Sequence, residues 1–168
     1  MKKFFIITLM VLLPLSAVMA QSSPDDPAII KAKEETAVVF DLGRLFGYLN
    51  TMEKEEKSLA LTQDQLESIY KIMVTIKQTK RMESENADTM ITAMEDEILT
   101  PDQLMYTDQL AIEKMAARTP GSGSGGGGGG QITTYIAGGA FNPMSDPAKT
   151  IGKDFAAFFE YASKKLGK

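Results

Sequence analysis

Three adjacent acidic residues, Glu95, Asp96 and Glu97, are the first candidates for a catalytic or cation-binding site. Acid–base catalysis needs two carboxylates that face one substrate and have well-separated pKa values. Adjacent positions on a helix point in different directions, so this run does not supply such a pair. The sequence also lacks the Asp-rich loop of a calcium-binding EF-hand. The run is typical of the solvated face of a helix, and we assign it no catalytic or metal-binding role.

The composition excludes most other kinds of reactive site. The chain contains no His, no Cys and no Trp. Zinc and copper sites of the usual kinds need His or Cys ligands, and a nucleophilic triad needs a His base. We therefore predict a protein that is not an enzyme, with no catalytic residue, no cofactor and no metal.

A glycine-rich stretch offers the remaining formal match to a chemical motif. Residues 121–130 read Gly-Ser-Gly-Ser followed by six glycines, which satisfies the G-x-G-x-x-G pattern of nucleotide-binding loops. No strand is predicted before it, and no Lys-Ser or Lys-Thr follows it, as a phosphate-binding loop requires. We interpret it as a flexible linker with a root-mean-square reach of roughly 15–20 Å.

The helices that organise the chain are marked by a repeated motif, L-T-x-x-Q-L, whose two copies lie 38 positions apart. In each copy the Thr side chain can accept from the Gln backbone N–H while the Gln side chain accepts from the Thr N–H, which is a capping box. Pro101 adds a favoured first helical residue to the second copy. Two helices are therefore predicted to begin near residues 63 and 101. The capping residues are Leu61, Thr62 and Gln65 in the first copy and Leu99, Thr100 and Gln103 in the second.

One long helix is predicted between the two boxes, because apolar and small residues recur there every three or four positions. The pattern lapses at Lys80 and Glu83, where we expect a bend or looser packing. About 35 helical residues would span roughly 50 Å, which favours an elongated molecule or a partner chain. The residues of the stripe are Leu66, Ile69, Met73, Ile76, Ala87, Met90, Met94 and Ile98.

Residues 1–20 have the pattern of a secretory signal peptide, with two lysines, a short apolar run and small residues before Ala20. The apolar run is shorter than the ~20 residues of a membrane span. We predict cleavage after Ala20 and a periplasmic or secreted protein, with an uncleaved membrane anchor as the alternative. Cleavage removes two lysines and no acid, so the net charge changes from −4 to −6. This acidic balance argues against nucleic acid as a partner.

Paired L-T-x-x-Q motifs behind an export signal resemble the periplasmic Spy/CpxP family of stress proteins. The resemblance covers roughly residues 61–115. It implies an all-α fold, often a dimer with a curved cradle shape, and a role as an ATP-independent chaperone or an accessory protein in envelope-stress sensing. The chain differs from that family in the closer spacing of its motifs and in its C-terminal extension.

We predict an all-α fold, an elongated hairpin of three main helices with a glycine-linked amphipathic helix at the C-terminus. The first helix should cover about residues 27–57 and the third about residues 101–118. Within the first helix, Gly43 and Gly47 would either let another backbone come close or be tolerated as weak helical positions. The predicted divisions are a signal peptide at 1–20, a helical core at 21–120, a linker at 121–130 and a C-terminal segment at 131–168.

The C-terminal segment begins with a β-prone stretch, residues 131–136, and ends with a basic amphipathic helix predicted at 147–166. A lone helix of this length is marginal in water, so its aromatic face must dock somewhere. Four alternatives stay open: its own helical core, a neighbouring subunit, a partner protein, or an anionic membrane surface that it would contact peripherally.

Methionine recurs along the helices, and its flexible side chain suits surfaces that bind many partners. We predict an exported chaperone or stress adaptor that binds unfolded or envelope proteins, with a homodimer as one way to cover the long helix. One alternative is that these methionines fill a helical core; another is a non-catalytic interaction protein whose C-terminal helix docks on a partner or a membrane. The candidate protein-binding residues are Met73, Met82, Met90, Met94, Phe155, Phe158 and Phe159.

Overall fold

The computed structural model describes residues 26–117 and 129–168. These residues form six helices and no strand, so the predicted all-α fold is confirmed. The predicted signal peptide and nearly all of the predicted linker lie outside the described residues. No described helix is both long enough and apolar enough to span a membrane. The helices are α1 (Pro27–Glu55), α2 (Gln63–Gln78), α3 (Ser84–Thr92), α4 (Pro101–Ala116), α5 (Gly129–Ile136) and α6 (Thr150–Leu166).

Both capping boxes form as predicted. The Thr62 hydroxyl accepts from the Gln65 N–H at 3.2 Å, and Gln65 Oε1 accepts from the Thr62 N–H at 2.9 Å. The same pair of bonds joins Thr100 and Gln103, at 3.3 and 2.9 Å. Helices α2 and α4 therefore begin at residues 63 and 101, where the motif places them.

The prediction of one continuous helix between the boxes is wrong. Helix α2 ends at Gln78, and α3 begins only at Ser84. The connector is extended and pairs with the C-terminal segment, since the Met82 N–H donates to the Phe141 carbonyl at 2.6 Å and the Phe141 N–H donates to the Lys80 carbonyl at 3.0 Å. Because the helix ends at Gln78, Met82 in the connector is completely buried. A helix that continued would place Lys80 and Glu83 in its apolar stripe.

Helix α3 also ends differently from a regular α-helix. Residues Ala93–Ile98 form a π-helical turn, in which the Leu99 N–H reaches back five residues to the Met94 carbonyl at 2.8 Å. Such a turn accommodates one extra residue. It keeps Met94 and Leu99 buried at the point where the chain turns toward α4.

The β-prone interpretation of residues 131–136 is also wrong, because they belong to α5. Ile132 and Tyr135 are both buried, and a spacing of three places them on one side of a helix. The Thr133 and Thr134 hydroxyls donate to the Gly130 carbonyl within the same helix. Tertiary burial has therefore overridden a weak strand propensity.

The last helix begins three residues later than predicted. Asp146 makes a separate turn in which its side chain accepts from the Ala148 N–H at 3.0 Å and its carbonyl from the Lys149 N–H at 3.1 Å. Helix α6 follows from Thr150. The local cap at Asp146 is thus real, but it belongs to a turn rather than to the helix.

Of the four docking alternatives, the structure shows α6 on the chain's own helical core, against α1 and α2. Phe155 meets Phe46 of α1 edge to face at 5.1 Å between ring centroids, and Phe159 stacks on Tyr70 of α2 at 5.1 Å. A side chain at Gly43 would overlap Ile151 of α6, so this glycine permits the close approach of the two helices.

A buried carboxylate joins α6 to the start of α2. Glu53, near the end of α1, accepts from the Leu61 N–H with one oxygen and from the Tyr161 hydroxyl with the other. Lys165 lies 3.3 Å from that second oxygen. Burial, followed by the hydrogen bond to Glu53, raises the pKa of Tyr161.

Candidate protein-binding surface

Most of the predicted protein-binding residues lie in the core instead of on a surface. These side chains belong to the hydrophobic core cluster or pack against it, so they fill space between helices, as the alternative interpretation of the methionines proposed. Met90 and Phe159 are half-buried. The buried members of the set are Met73, Met82, Met94, Phe155 and Phe158.

A different set of apolar side chains is exposed on α4. Met105, Ile112 and Met115 are 69%, 61% and 66% exposed, and they are three of the five large apolar side chains that are exposed within the described residues. Their spacing of seven and three positions places them on one side of the helix. We call these three residues the α4 face.

The α4 face exists because α4 packs on α1 through its opposite side. Only Gln103 and Thr107 of this helix are fully buried. The sequence carries a signal for this arrangement: apolar residues fall on both sides of α4, which is more than one packed stripe needs. Counting the apolar residues of each helix side separately would have found the second stripe.

A groove of about 350 Å³ adjoins the α4 face, between α4, α1 and the π-helical turn after α3. Met115 belongs to both, so the two surfaces are continuous. Three carboxylates and one guanidinium line the groove, and the guanidinium of Arg44 is already hydrogen-bonded to Asp41. We call it the acidic groove; its lining includes Leu45, Tyr48, Ile91, Ala111 and Met115 together with Asp41, Glu95 and Asp108.

The electrostatics of the acidic groove favour a positive charge. Partial burial raises the pKa of Glu95, and the nearby carboxylates of Asp108, Asp96 and Asp88 raise it further. An ionised Glu95 is therefore held next to other negative charges, which a cation entering the groove would relieve. Glu95 is exposed, as the sequence interpretation of a solvated helical face predicted, and it also lines the acidic groove.

Glu95→Gln is expected to raise the melting temperature at pH 7 by no more than about 1–2 °C, because Glu95 is exposed and solvent screens its repulsions. The folded pKa of Glu95 lies above the unfolded one, so its ionisation penalises the folded state above that pKa. The penalty disappears as the pH falls below about 4.3, the ordinary pKa of a glutamic acid, and the advantage of Gln should disappear with it.

Calorimetric melting at pH 7 and pH 4 measures this difference. Glu97→Gln is the matched control, because Glu97 is an exposed neighbour that does not line the groove. Equal effects of the two substitutions, or an advantage of Gln at position 95 that persists at pH 4, would contradict the proposed crowding of charge.

The two L-T-x-x-Q motifs meet in space, and their junction holds the start of α4 against α2. The Gln65 Nε2 amide donates to the Ile98 carbonyl at 2.7 Å and to Gln103 Oε1 at 2.8 Å. The Gln103 Nε2 amide donates to the Leu59 carbonyl at 3.0 Å. The motif residues therefore do more than cap their own helices, which the sequence interpretation did not foresee.

Within the described ranges, no three acidic side chains lie close enough together to form a metal site. Comparisons with protein-family models, with curated proteins and with solved structures gave no significant match. The structure by itself defines an all-α protein. Its distinguishing surface combines exposed apolar side chains with a groove rich in carboxylates.

Proposed function

We propose that this protein is an exported, ATP-independent chaperone or envelope-stress adaptor that binds segments of unfolded or partner proteins. The observation that carries the proposal is the α4 face, three large apolar side chains exposed on one side of one helix. Single exposed apolar residues are ordinary, but three large ones on one side of a single helix are typical of an interaction site. The paired motifs and the predicted signal peptide support placement in the cell envelope.

The chemistry of the surface favours segments that are both apolar and basic. Met105 and Met115 have flexible side chains that can adapt to different partners. The carboxylates of the neighbouring acidic groove would attract Lys and Arg and repel acidic chains. The net negative charge of the protein acts in the same direction over longer distances.

The alternative function, docking of the C-terminal helix on a partner or a membrane, is less well supported. The aromatic face of α6 is occupied by α1 and α2, so such docking would require α6 to leave the core. None of the described residues covers the α4 face, so binding there requires no rearrangement of them.

Suppression of aggregation by the chain without residues 1–20 tests the proposal, using a chemically unfolded basic client and no ATP. A triple variant, Met105→Ser, Ile112→Ser and Met115→Ser, should lose at least about half of the protection. Because all three side chains are exposed, its circular dichroism and melting temperature should change little.

The matched control replaces two exposed apolar residues that lie elsewhere, Ile30→Ser and Ile136→Ser. It should protect the client as well as the unmodified protein does. Equal protection by the triple variant would refute the proposal. Sedimentation velocity of each protein shows whether a homodimer covers the α4 face, in which case the triple variant would become monomeric.

A further inference from the structure

A second concave site, which shares no lining residue with the acidic groove, lies between the end of α2, the start of α6 and the turn Pro143–Ser145. It has a volume of about 410 Å³. This value falls within the range of ordinary small-molecule sites. We call it the α2–α6 cleft; its apolar lining includes Ile76, Met144, Pro147, Phe155, Ala156 and Phe159.

The walls of the α2–α6 cleft are fixed by hydrogen bonds and close packing. The Asn142 side-chain amide donates to the carbonyls of Ile76 and Thr79, at 2.8 Å each, and its oxygen accepts from the Met144 N–H at 3.1 Å. These bonds fasten the turn to the end of α2. A side chain at Gly152 would overlap the Asp146 carbonyl, so α6 begins in tight contact with the loop before it.

The mouth of the cleft is positively charged. Lys77 lines it, with Nζ 4.0 Å from the centre of the Phe159 ring. Among the described residues Lys77 makes no ion pair. Lys80 lines an adjoining hollow that shares Asn142 and Ser145 with the cleft. An anion at this mouth would lie near two lysines, neither of which makes an ion pair within the part of the chain that the structure describes.

The two helix ends at the cleft also favour an anion. Helix α6 begins without a side-chain cap, and Gly152 in its first turn lines the cleft, so the positive end of its dipole lies there. The opposite effect, from the carbonyl end of α2, is reduced because Asn142 already binds two of those carbonyls. The N-terminal end of α6 therefore adds to the attraction that Lys77 would exert on an anion.

We propose that the α2–α6 cleft binds a free amphipathic carboxylate, such as a medium-chain fatty acid. The apolar body would lie against Phe155 and Phe159, and the carboxylate would pair with Lys77 at the mouth. A cleft of about 410 Å³ suits one short chain taken from solution more than a two-chain lipid. This site is separate from the α4 face and does not depend on the proposed chaperone function.

Isothermal titration of the full chain with decanoate, below its micelle concentration, tests the proposal. Saturable binding of one decanoate per chain is expected. Ala156→Leu fills the cleft and should weaken binding by at least about tenfold. Ala157→Leu is the matched control, an exposed alanine on the same helix that does not line the cleft, and it should leave the affinity within about twofold.

The charge is tested separately. Lys77→Gln should weaken decanoate about threefold to tenfold and leave the uncharged analogue 1-decanol unaffected. Lys71→Gln, an exposed lysine of the same helix outside the cleft, should change neither affinity. Failure of decanoate to saturate, or equal effects of the two Ala→Leu variants, would overturn the proposal. Co-sedimentation with vesicles of anionic phospholipid without decanoate binding would also overturn it and favour a membrane contact.

Discussion

Glu53→Ala is expected to lower the free energy of unfolding by about 3 kcal/mol. The Glu53 side chain is only 1% exposed, and its two oxygens accept from the Leu61 N–H and from the Tyr161 hydroxyl. Truncation leaves both donors without an acceptor inside the core. It also opens a cavity where α1, α6 and the start of α2 meet.

Urea unfolding at pH 7 measures this effect, and Glu55→Ala is the matched control. Glu55 is an exposed carboxylate two residues further along the same helix, and its loss should cost no more than about 0.5 kcal/mol. Tyr161→Phe removes one of the hydrogen bonds and should cost about 1–2 kcal/mol. A Glu53→Ala protein as stable as Glu55→Ala would contradict the buried cluster.

The pH dependence of the Glu53 effect provides a second readout. The hydrogen bond with Tyr161 and the charge of Glu53 raise the pKa of Lys165, and the pKa of Tyr161 is raised as well. A group whose pKa is higher in the folded protein than in the unfolded chain stabilises the fold fully below its unfolded pKa, which is about 10 for these two groups. That stabilisation is lost as the pH rises through the folded pKa. The difference between wild type and Glu53→Ala should therefore shrink in strongly alkaline solution.

How much of the fold could be predicted from the sequence depends on whether each structural feature is determined by residues that are close together in the chain. The starts of α2 and α4 could be predicted, because each capping box is complete within four residues. The lapse of the pattern at Lys80 and Glu83 indicated an irregularity near residue 80. A complete break after Gln78 could not be predicted, since its partners, Phe141 and Asn142, lie about 60 residues further along the chain. Neither their own sequence nor that of the connector indicates that they will meet.

The candidate surface shows the same limit. Methionines that match a helical period can face a core or a surface, and the choice depends on what covers them. Helix α6 covers Met73, whereas nothing among the described residues covers Met105. An aromatic face such as that of Phe155 and Phe158 needs a docking site, but a sequence does not say which one it finds.

Gln103→Ala is expected to lower the free energy of unfolding by about 2 kcal/mol. Gln103 is almost fully buried, accepts from the Thr100 N–H and donates to the Leu59 carbonyl. Gln65→Ala should cost a similar amount, because it removes the cap at Thr62 and the bond to the Ile98 carbonyl.

The double variant distinguishes a junction from two independent caps. The direct bond between the Gln65 and Gln103 amides is lost in either single variant, so the double variant should cost about 1 kcal/mol less than the sum of the singles. Gln109, an exposed residue of α4 whose side chain donates to Glu113, supplies the control. Gln109→Ala combined with Gln65→Ala should be additive within about 0.5 kcal/mol.

Urea unfolding of the four proteins of each cycle gives the two coupling energies. Additivity in the Gln65–Gln103 cycle would mean that each motif acts only on its own helix, as the sequence alone suggests. Coupling in that cycle and not in the control would mean that the two copies of the motif stabilise the fold as a pair. The motif would then hold two helix starts together, and the spacing of 38 positions between its copies would be the length of chain needed to bring them back into contact.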